Sequence, residues 1–494
     1  MTPEQYQDKH IGDTPSLKGQ FNGSDQAREE TLTRCERYAG WTLPNIFPDD
    51  PLMEYDEMQN DYQSVGAQAT THLANKIMMA LFQPSRPFFR MQLDAKQREE
   101  LQGGFTDAQI DAILSETERK AMRELDKIGA RVAMTQAVLQ LIITGNSLLH
   151  MPDDVDNKLQ VYSLRDYVIK RDLAGNLIKL ILKETKSVSG LDDNLRGLAL
   201  EHGYAEDQDV SIYTCAKKIS KDRYMVWQEL EAICRCDDQI GYYAKDDLPW
   251  IPLTWNLARN KDYGTGLVEN YSGDFWSLST FAEAILDYSV ILTDVKNLVN
   301  PAGMTDAREV SEARSGAYVQ GREEDIYVHT PQVANNASFL ENQFKAVERR
   351  IGAAFLLNTA VTRDAERVTA EEIRMQAQEL ESSMGGVYSN LAAELQIPLS
   401  KRLLSRINPA FKNIEPIVVT GLESLSRSSE LDRMRYFFQD LAGLATLPDL
   451  VLERIDMGDL IATLGAGHGV QYKKFLKDEK QVKQEREQAM QAQA

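Results

Sequence analysis

With 494 residues, the chain is longer than a single hydrophobic core supports, so its length predicts about two to four structural units. Its 75 acidic and 55 basic residues give a formal net charge of −20, which argues against a protein that grips nucleic acid broadly, because such binding needs Lys and Arg to neutralise phosphates. A protein that encloses DNA without adhering to it is compatible with this charge.

No window of the sequence approaches the roughly 18 uninterrupted apolar residues of a membrane-spanning helix, and the N-terminus lacks the basic-then-apolar order of a signal peptide. We therefore expect a soluble protein of cytoplasmic origin. The four cysteines are Cys35, Cys215, Cys234 and Cys236. The last two have one residue between them, whereas zinc sites commonly have about two to four, and the six histidines are scattered singly. Reduced structural thiols, no metal and no cofactor are expected.

The first part of the chain predicts helices after a flexible start. Residues 1–24 are polar and contain Gly and Pro, so we expect them to be mobile. Residues 26–38 fit a charged helix, and residues 61–82 fit a second helix that ends before Pro84. One side of the second helix carries Val65, Ala69, His72, Leu73, Lys76, Ile77 and Ala80. We interpret His72 on this side as a core histidine rather than a ligand.

Residues 105–149 predict two more helices, of which the second, at 130–143, is rich in apolar residues and ends at Gly145. From about residue 159 to 257 the pattern changes to short alternating segments separated by turn residues, which indicates a mainly antiparallel sheet. The expected strands lie at residues 159–164, 167–172, 177–185, 210–215, 224–230 and 231–236. Trp227, Trp250 and Trp255 are interpreted as core residues of this region rather than a stacking platform for bases.

Residues 257–270 contain Gly264 and Gly266 but no Lys-Ser/Thr pair after them. A phosphate-binding loop needs the pattern GxxxxGK[ST], in which backbone N–H groups and the Lys hold the phosphates, and this pattern occurs nowhere in the chain. The sequence therefore offers no recognisable ATPase site. We interpret the segment as a turn that leads into the next helix.

A long helix with one apolar seam follows. The seam residues recur at steps of three and four and are Leu278, Phe281, Ile285, Tyr288, Leu292, Val295 and Val299. The helix should run for about 25 residues, or roughly 38 Å, and end at Pro301 and Gly303. Residues 305–330 then predict a small insert in which strands at 315–320 and 325–330 form a hairpin around residues 321–324. A returning helix carries the matching seam Leu340, Phe344, Val347, Ile351 and Ala354. Together these elements predict a stalk with a tip.

Residues 361–368 join this stalk to another long helix. The loop contains Arg363, Asp364, Glu366 and Arg367, whose charges sum to zero. Thr369 stands three residues before Glu372, the spacing of a capping box, so a helix begins there. Its apolar stripe is interrupted by Gly385 and Gly386 and restarts before Pro398, which predicts a helix with a kink.

Three segments of the sequence resemble the head-to-tail connecting (portal) proteins of short-tailed phages of the T7-like type. The first is ERVTAEEIR followed by QELESSMGGVYSNLAAELQIPL, residues 366–374 and 378–399. The second, residues 64–93, contains LANKIMMALFQPSRPFFRMQL. The third is NLVNPAGMTDAREV with SGAYVQGREEDIYV, between residues 297 and 328. The matches occur in the family's order, and the resemblance covers residues from about 25 to about 440.

The resemblance implies an α+β subunit of the portal type that assembles as a ring of twelve. In this plan the chain has a flexible start (1–24), a wing of helices and mainly antiparallel sheet (25–272), stem helix 1 (273–300), a clip (301–331), stem helix 2 (332–360), a tunnel loop (361–368), a kinked helix with a return to the wing (369–429), a helical crown (430–470) and a polar tail (471–494). Its function would be to form the channel at one capsid vertex of the virion for packaging, retention and ejection of double-stranded DNA. The partners implied are the large terminase subunit, the tail adaptor, and capsid and scaffolding proteins, with assembly in the host cytoplasm and no membrane.

Within this plan the sequence suggests no catalytic residue and no metal site, but three functional groups of residues. Arg363, Asp364, Glu366 and Arg367 would face DNA in the channel. Arg322, Glu323, Glu324 and Tyr327 of the clip would dock partners. Gly385 and Gly386 would act as a hinge.

Two other functions stay open at the level of sequence. A packaging nuclease or translocase would need a nucleotide motif or a carboxylate cluster for two metals, and the dense acidic runs at 49–50 and 323–325 are interpreted as solvated turns. A cellular helical scaffold would share the helix seams, because such seams usually reflect packing alone. The strand-rich middle and the insert between the two helices speak against a scaffold.

Overall fold

The structure is a computed structural model in which the chain divides into two units, residues 1–368 with 380–418 and residues 369–379 with 419–494. It describes residues 16–48, 60–82, 87–93, 107–152, 158–231, 234–235, 240–293, 296–329, 334–357, 379–380, 382–383, 386–407, 415–418 and 439. The described part of the second unit is limited to Glu379 and Gln439, so the fold below is that of the first unit. The predicted crown (430–470) and tail (471–494) lie outside the described residues, apart from Gln439.

The described helices are α1 (Leu17–Gln26), α2 (Glu29–Gly40), α3 (Val65–Leu81), α4 (Asp107–Lys127), α5 (Ala130–Thr144), α6 (Asp193–Glu201), α7 (Leu267–Asn270), α8 (Ser272–Thr293), α9 (Ala307–Glu312), α10 (Ala334–Ala354), α11 (Gly386–Leu391) and α12 (Ile397–Ile407). None of the helices among these residues is long and apolar enough to cross a membrane. The predicted pair of helices at 105–149 is confirmed as α4 and α5, but its end is wrong, because residues 146–149 form a strand.

The described strands are β1 (Phe89–Gln92), β2 (Asn146–His150), β3 (Gln160–Tyr162), β4 (Tyr167–Arg171), β5 (Leu177–Ser187), β6 (Asp209–Ser220), β7 (Arg223–Leu230), β8 (Cys234–Arg235), β9 (Gly241–Ala244), β10 (Trp250–Thr254), β11 (Lys296–Val299), β12 (Ile326–His329) and β13 (Glu415–Val418). The largest sheet has the order β4-β5-β6-β7-β8, with β9 also paired to β7, and all its pairs are antiparallel. The predicted antiparallel sheet is therefore confirmed, although β3 belongs to a separate three-stranded sheet with β2 and β10.

The predicted mobile start is wrong from residue 17 onward, because Leu17–Gln26 forms α1 against the large sheet. Ser16 caps this helix by accepting a hydrogen bond from the Gly19 N–H. Leu17 and Phe21, one turn apart, are buried in the core cluster that also holds Tyr213 and Trp227. Burying two large apolar side chains stabilises a short helix that its propensity alone would leave unformed.

The strand-rich region contains a helix that the sequence pattern does not predict. Residues 193–201 form α6, and its Leu195 and Ala199 are buried against Val210, Ile212 and Leu230 of the sheet. Together with partly buried Leu198, these residues follow the i, i+3, i+4 spacing of one helix face. The segment is too short for this period to stand out against the alternating pattern on either side.

The core of the first unit surrounds α5. This helix has buried residues along its whole length, and it lies between two glycines in the left-handed conformation, Gly129 with φ 65° and Gly145 with φ 78°. The predicted apolar side of α3 packs beside it, and all its members except His72 are buried. Lys76, buried on that side, donates a hydrogen bond from Nζ to the backbone oxygen of Leu356 at 3.0 Å.

The chain returns to this core near residue 400. Strand β13 pairs with β1 in antiparallel register, and buried Arg402 of α12 forms an ion pair with Asp247 at 2.8 Å. The helical pattern does not stop at Pro398, because a π-helical turn, Ala392–Gln396, connects α11 to α12. This wider turn lies where a proline ring would otherwise clash with the carbonyl four residues earlier.

Candidate functional site

The two helices of the predicted stalk, α8 and α10, pack against each other as an antiparallel pair. Near its base Phe275 and Leu278 of α8 and Ile351 of α10 are fully buried. The ring of Phe355, just after α10, meets the ring of Phe275 edge-on, with the centroids 5.6 Å apart. Arg350 pairs with Asp274 at 2.6 Å on the outside. The start of α8 is therefore held beside the end of α10.

The seam is less completely covered farther from this base. Phe281, Ile285 and Tyr288 are half-buried, as are Leu340 and Phe344 on the other helix. Other apolar side chains are openly exposed, namely Trp276 (60%), Leu286 (53%), Val290 (63%) and Phe339 (61%). Large apolar groups exposed on one elongated pair of helices are typical of a surface that another protein covers.

The predicted extent of stem helix 1, residues 273–300, is wrong at its end. The helix ends at Thr293, and residues 296–299 form strand β11. The predicted hairpin between 315–320 and 325–330 is also wrong, because β12 pairs with β11 and residues 315–320 form no strand. Residues 296–299 are predicted as the last turn of the helix because Val299 falls on the helical period of the seam. Their partner strand, β12, lies about thirty residues later in the sequence, so the local pattern does not reveal the pairing.

Asp325 organises the insert between the two strands. Its side chain, 7% exposed, accepts hydrogen bonds from the Met304 N–H at 3.0 Å and the Thr305 hydroxyl at 2.9 Å. Thr305 in turn accepts one from the Arg322 N–H at 2.9 Å. The interpretation of 323–325 as a solvated acidic turn is therefore wrong for Asp325 and holds for Glu323 and Glu324, which are exposed. The sequence pattern does not predict this role of Asp325, because its hydrogen-bond partners Met304 and Thr305 lie about twenty residues earlier.

The four predicted docking residues lie together on the outside of this insert. Arg322, Glu323 and Glu324 are exposed, and Tyr327 is 63% exposed. Tyr327 stands directly opposite Leu298 in the β11–β12 register, and Leu298 is 53% exposed. Sequence reasoning missed Leu298 because it counted this segment as helix. The pair forms an apolar spot beside the charged turn.

The other predicted site residues lie mostly outside the described residues. This is so for Arg363, Asp364, Glu366 and Arg367 of the loop and for Gly385 of the hinge. Gly386 is described as the first residue of α11, and a Cβ added there would meet nothing within 4 Å. Its hinge role stays a prediction.

Cys35 and Cys215 are placed for structure. Cys35 and Cys215 are buried, and burial raises the pKa of each thiol to about 12, so neither ionises at neutral pH. Within the part of the chain that the structure describes, no three His, Cys, Asp or Glu side chains converge to hold a metal ion.

Comparison with known proteins gives a match along most of the sequence. Residues 14–476 match the family described as bacteriophage head to tail connecting protein. The portal protein of Escherichia phage T7 is 34% identical over 454 residues, covering 88% of this chain and 83% of that protein. The portal protein of Enterobacteria phage SP6 is 33% identical over 492 residues, covering 97% and 92%. That of Pseudomonas phage phiKMV is 34% identical over 477 residues, covering 93% and 92%.

Among solved structures the likeness is remote. A chain from the neck of an empty GTA particle aligns with a TM-score of 0.38 and 13% identity, over 82% of this chain and 90% of that chain. A chain from the neck of a native GTA particle, computed with C12 symmetry, aligns with a TM-score of 0.32 and 12% identity, over 68% and 79%.

Proposed function

This chain belongs to the bacteriophage head to tail connecting proteins, and from that premise we propose that it forms the ring-shaped channel at one capsid vertex through which double-stranded DNA is packaged, retained and ejected. The observation that carries the proposal is the identity of about a third to several portal proteins over most of both chains. Its role would be structural rather than enzymatic. The resemblance in the three sequence segments agrees with this family.

The structure supports the ring through the side chains that a single subunit leaves uncovered. Trp276, Leu286, Val290 and Phe339 expose apolar surface along the helix pair, and burial of such surface favours association. A formal charge of −20 on each subunit opposes close association. Screening of this repulsion by salt should therefore favour the ring.

The first prediction is that the purified protein forms rings with a central hole, and that the ringed fraction grows as salt is raised from about 0.01 M to 0.15 M, where the Debye length falls from about 30 to 8 Å. Negative-stain images and sedimentation velocity measure the two quantities. A protein that sediments as a compact monomer at every salt concentration would remove the channel from this account.

We further propose that the insert between β11 and β12 docks the large terminase subunit and later the tail adaptor. The exposed pair Leu298 and Tyr327 supplies apolar contact, and Arg322, Glu323 and Glu324 supply charges beside it. An apolar centre with a charged rim is the common anatomy of a protein interface. Asp325 holds this turn from within, so its surface is presented in a fixed shape.

The second prediction is that the combined change Arg322→Ala with Tyr327→Ala leaves ring formation intact but weakens binding to the large terminase subunit by about tenfold or more, since truncating an anchoring Tyr or Arg commonly costs over 1 kcal/mol. Surface plasmon resonance on preformed rings measures the affinity. Leu173→Ala is the matched control, because Leu173 is also exposed (74%) but lies in the turn between β4 and β5. Equal affinities for all three proteins would refute this docking role.

A further inference from the structure

The two helices of the stalk carry opposite charges on their outer surfaces. Trp276, Glu283, Leu286, Asp287 and Val290 lie within an arc of about 100° on α8, and we name this surface the acidic face. Phe339, Lys345, Ala346 and Arg349 lie within an arc of about 120° on α10 and form the basic face. All of these residues are exposed. Each face points away from the buried seam, so the two lie on different sides of the pair.

The residues that the structure describes do not neutralise the charge on the acidic face. Among the described residues neither Glu283 nor Asp287 has an ion-pair partner. The negative charge of Glu283, with a hydrogen bond that it accepts, raises the pKa of exposed Tyr62 above its ordinary value of 10.0, and Asp287 adds to the shift. Tyr62 is thereby kept neutral and adds no positive charge to the acidic face.

The basic face retains positive charge in the same way. Lys345 pairs with Glu341 at 2.6 Å, but both side chains are more than half exposed, so this pair contributes little. Arg350 forms an ion pair with Asp274, whereas Arg349 has no ion-pair partner among the residues that the structure describes.

The two faces also match along their length. Contacts between Tyr271 and Phe355 and between Asp274 and Arg350 fix which residues of the antiparallel helices stand at equal height. Counting along both helices from these contacts places Phe339 level with Leu286 and about one turn from Val290. Arg349 then stands level with Trp276, and Lys345 stands within about one turn of Glu283. Apolar groups therefore meet apolar groups, a cation meets a carboxylate, and a guanidinium meets an indole ring, a favourable pairing.

We propose that the acidic face of one copy packs on the basic face of the next copy, with Glu283 opposite Lys345. This inference rests on the proposed ring and says which surfaces join its members. Because the two faces differ, the contact is head-to-tail, and repetition about an axis along the stalk closes into a ring. Salt screens the repulsion between the net charges of two copies, which acts over long distances, more strongly than it screens the attraction between opposite charges in contact. The ion pairs across the contact can therefore favour association although each copy carries a net negative charge.

The third prediction tests this contact by reversing each face. The acid-reversed variant carries Glu283→Lys with Asp287→Lys, and the base-reversed variant carries Lys345→Glu with Arg349→Glu. Each variant alone presents like charges at every contact, so we expect its half-assembly concentration to rise by about tenfold or more at 0.15 M salt. Mixed in equal amounts, the two variants present opposite charges at every contact, and rings should return. Mass photometry measures the ringed fraction.

The control is Asp193→Lys with Glu201→Lys on α6, which changes the net charge as much as the acid-reversed variant does but lies outside the helix pair, between β5 and β6. It should assemble like the unmodified chain. Recovery in the mixture also shows that both variants are folded. If the unmodified chain and both variants all form rings, the proposed contact is wrong but the proposed ring is not. If the unmodified chain forms no rings, the proposed function itself is wrong. Loss of assembly in each variant without recovery in the mixture would overturn the head-to-tail pairing.

Discussion

Replacing Gly145 by alanine will strongly destabilise the first unit. Gly145 has φ 78°, and an added Cβ would lie closer than any real contact to the backbone of Thr265 and Gly266. The opposing Gly266 is equally constrained, since its own Cβ would stand 2.7 Å from the Ile143 carbonyl oxygen. Backbone atoms on both sides cannot move aside as a flexible side chain can. We expect a loss of more than about 4 kcal/mol, the range of the most damaging single changes.

Alanine substitutions at two other glycines separate the two causes of this loss, which are the positive φ and the close approach of the backbone. Gly129 at the other end of α5 also has positive φ, but its Cβ would meet nothing, so Gly129→Ala should cost about 1–2 kcal/mol from backbone strain alone. Gly197 within α6 has neither constraint, and Gly197→Ala should stabilise by about 0.5–1 kcal/mol. Urea unfolding followed by circular dichroism gives all three values. A Gly145→Ala protein as stable as the Gly129→Ala protein would show that the close backbone approach has no energetic weight.

This close approach marks a limit of sequence reasoning. Gly264 and Gly266 suggested a turn, and their segment does lead into α7 and α8. Their packing function depends on Gly145 and Asn146, which lie about 120 residues earlier. The Asn146 side chain donates to the Gly264 oxygen at 2.9 Å and accepts from the Gly264 N–H at 2.8 Å, which imitates a strand pair. A local pattern cannot reveal such a partner, although it can show that glycine is required.

Elements whose pattern repeats over several turns or strands were predictable. The α8–α10 pair and the antiparallel strands β4 to β7 follow from the periods of their apolar residues, and α5 follows from its richness in apolar residues and its end at Gly145. Short elements with distant partners were not. Leu17 and Phe21 form only one helical turn, and their partners Tyr213 and Trp227 lie about 200 residues away. The candidate site follows the same rule, because the exposed turn at 322–324 was found and the buried Asp325 that holds it was not.

We propose that residues 361–368 face the central channel and act as a gate around DNA. The proposal rests on the sequence and on the family, since these residues lie outside the described ones. Arg363 and Arg367 can contact phosphates briefly, while Asp364 and Glu366 cancel their charge, so DNA is not held as a basic patch would hold it. The loop leads to a helix containing Gly385 and Gly386, where a small change of kink would move it.

The last prediction is that a phage whose portal carries Arg363→Ala with Arg367→Ala forms rings and capsids but fails to package or retain its genome. Removing both cations leaves the loop with a net charge of about −2, which repels DNA phosphates where the channel must guide them. The DNA content of purified heads measures the effect. The double change Arg363→Lys with Arg367→Lys keeps the charge and should retain most packaging. As a control for net charge, Arg119→Ala with Arg131→Ala removes two exposed arginines of α4 and α5. DNA-filled heads from the alanine double mutant would show that the loop is not a gate. The proposed ring would not be affected by that result, because neither the family match nor the packing of α8 on α10 depends on this loop.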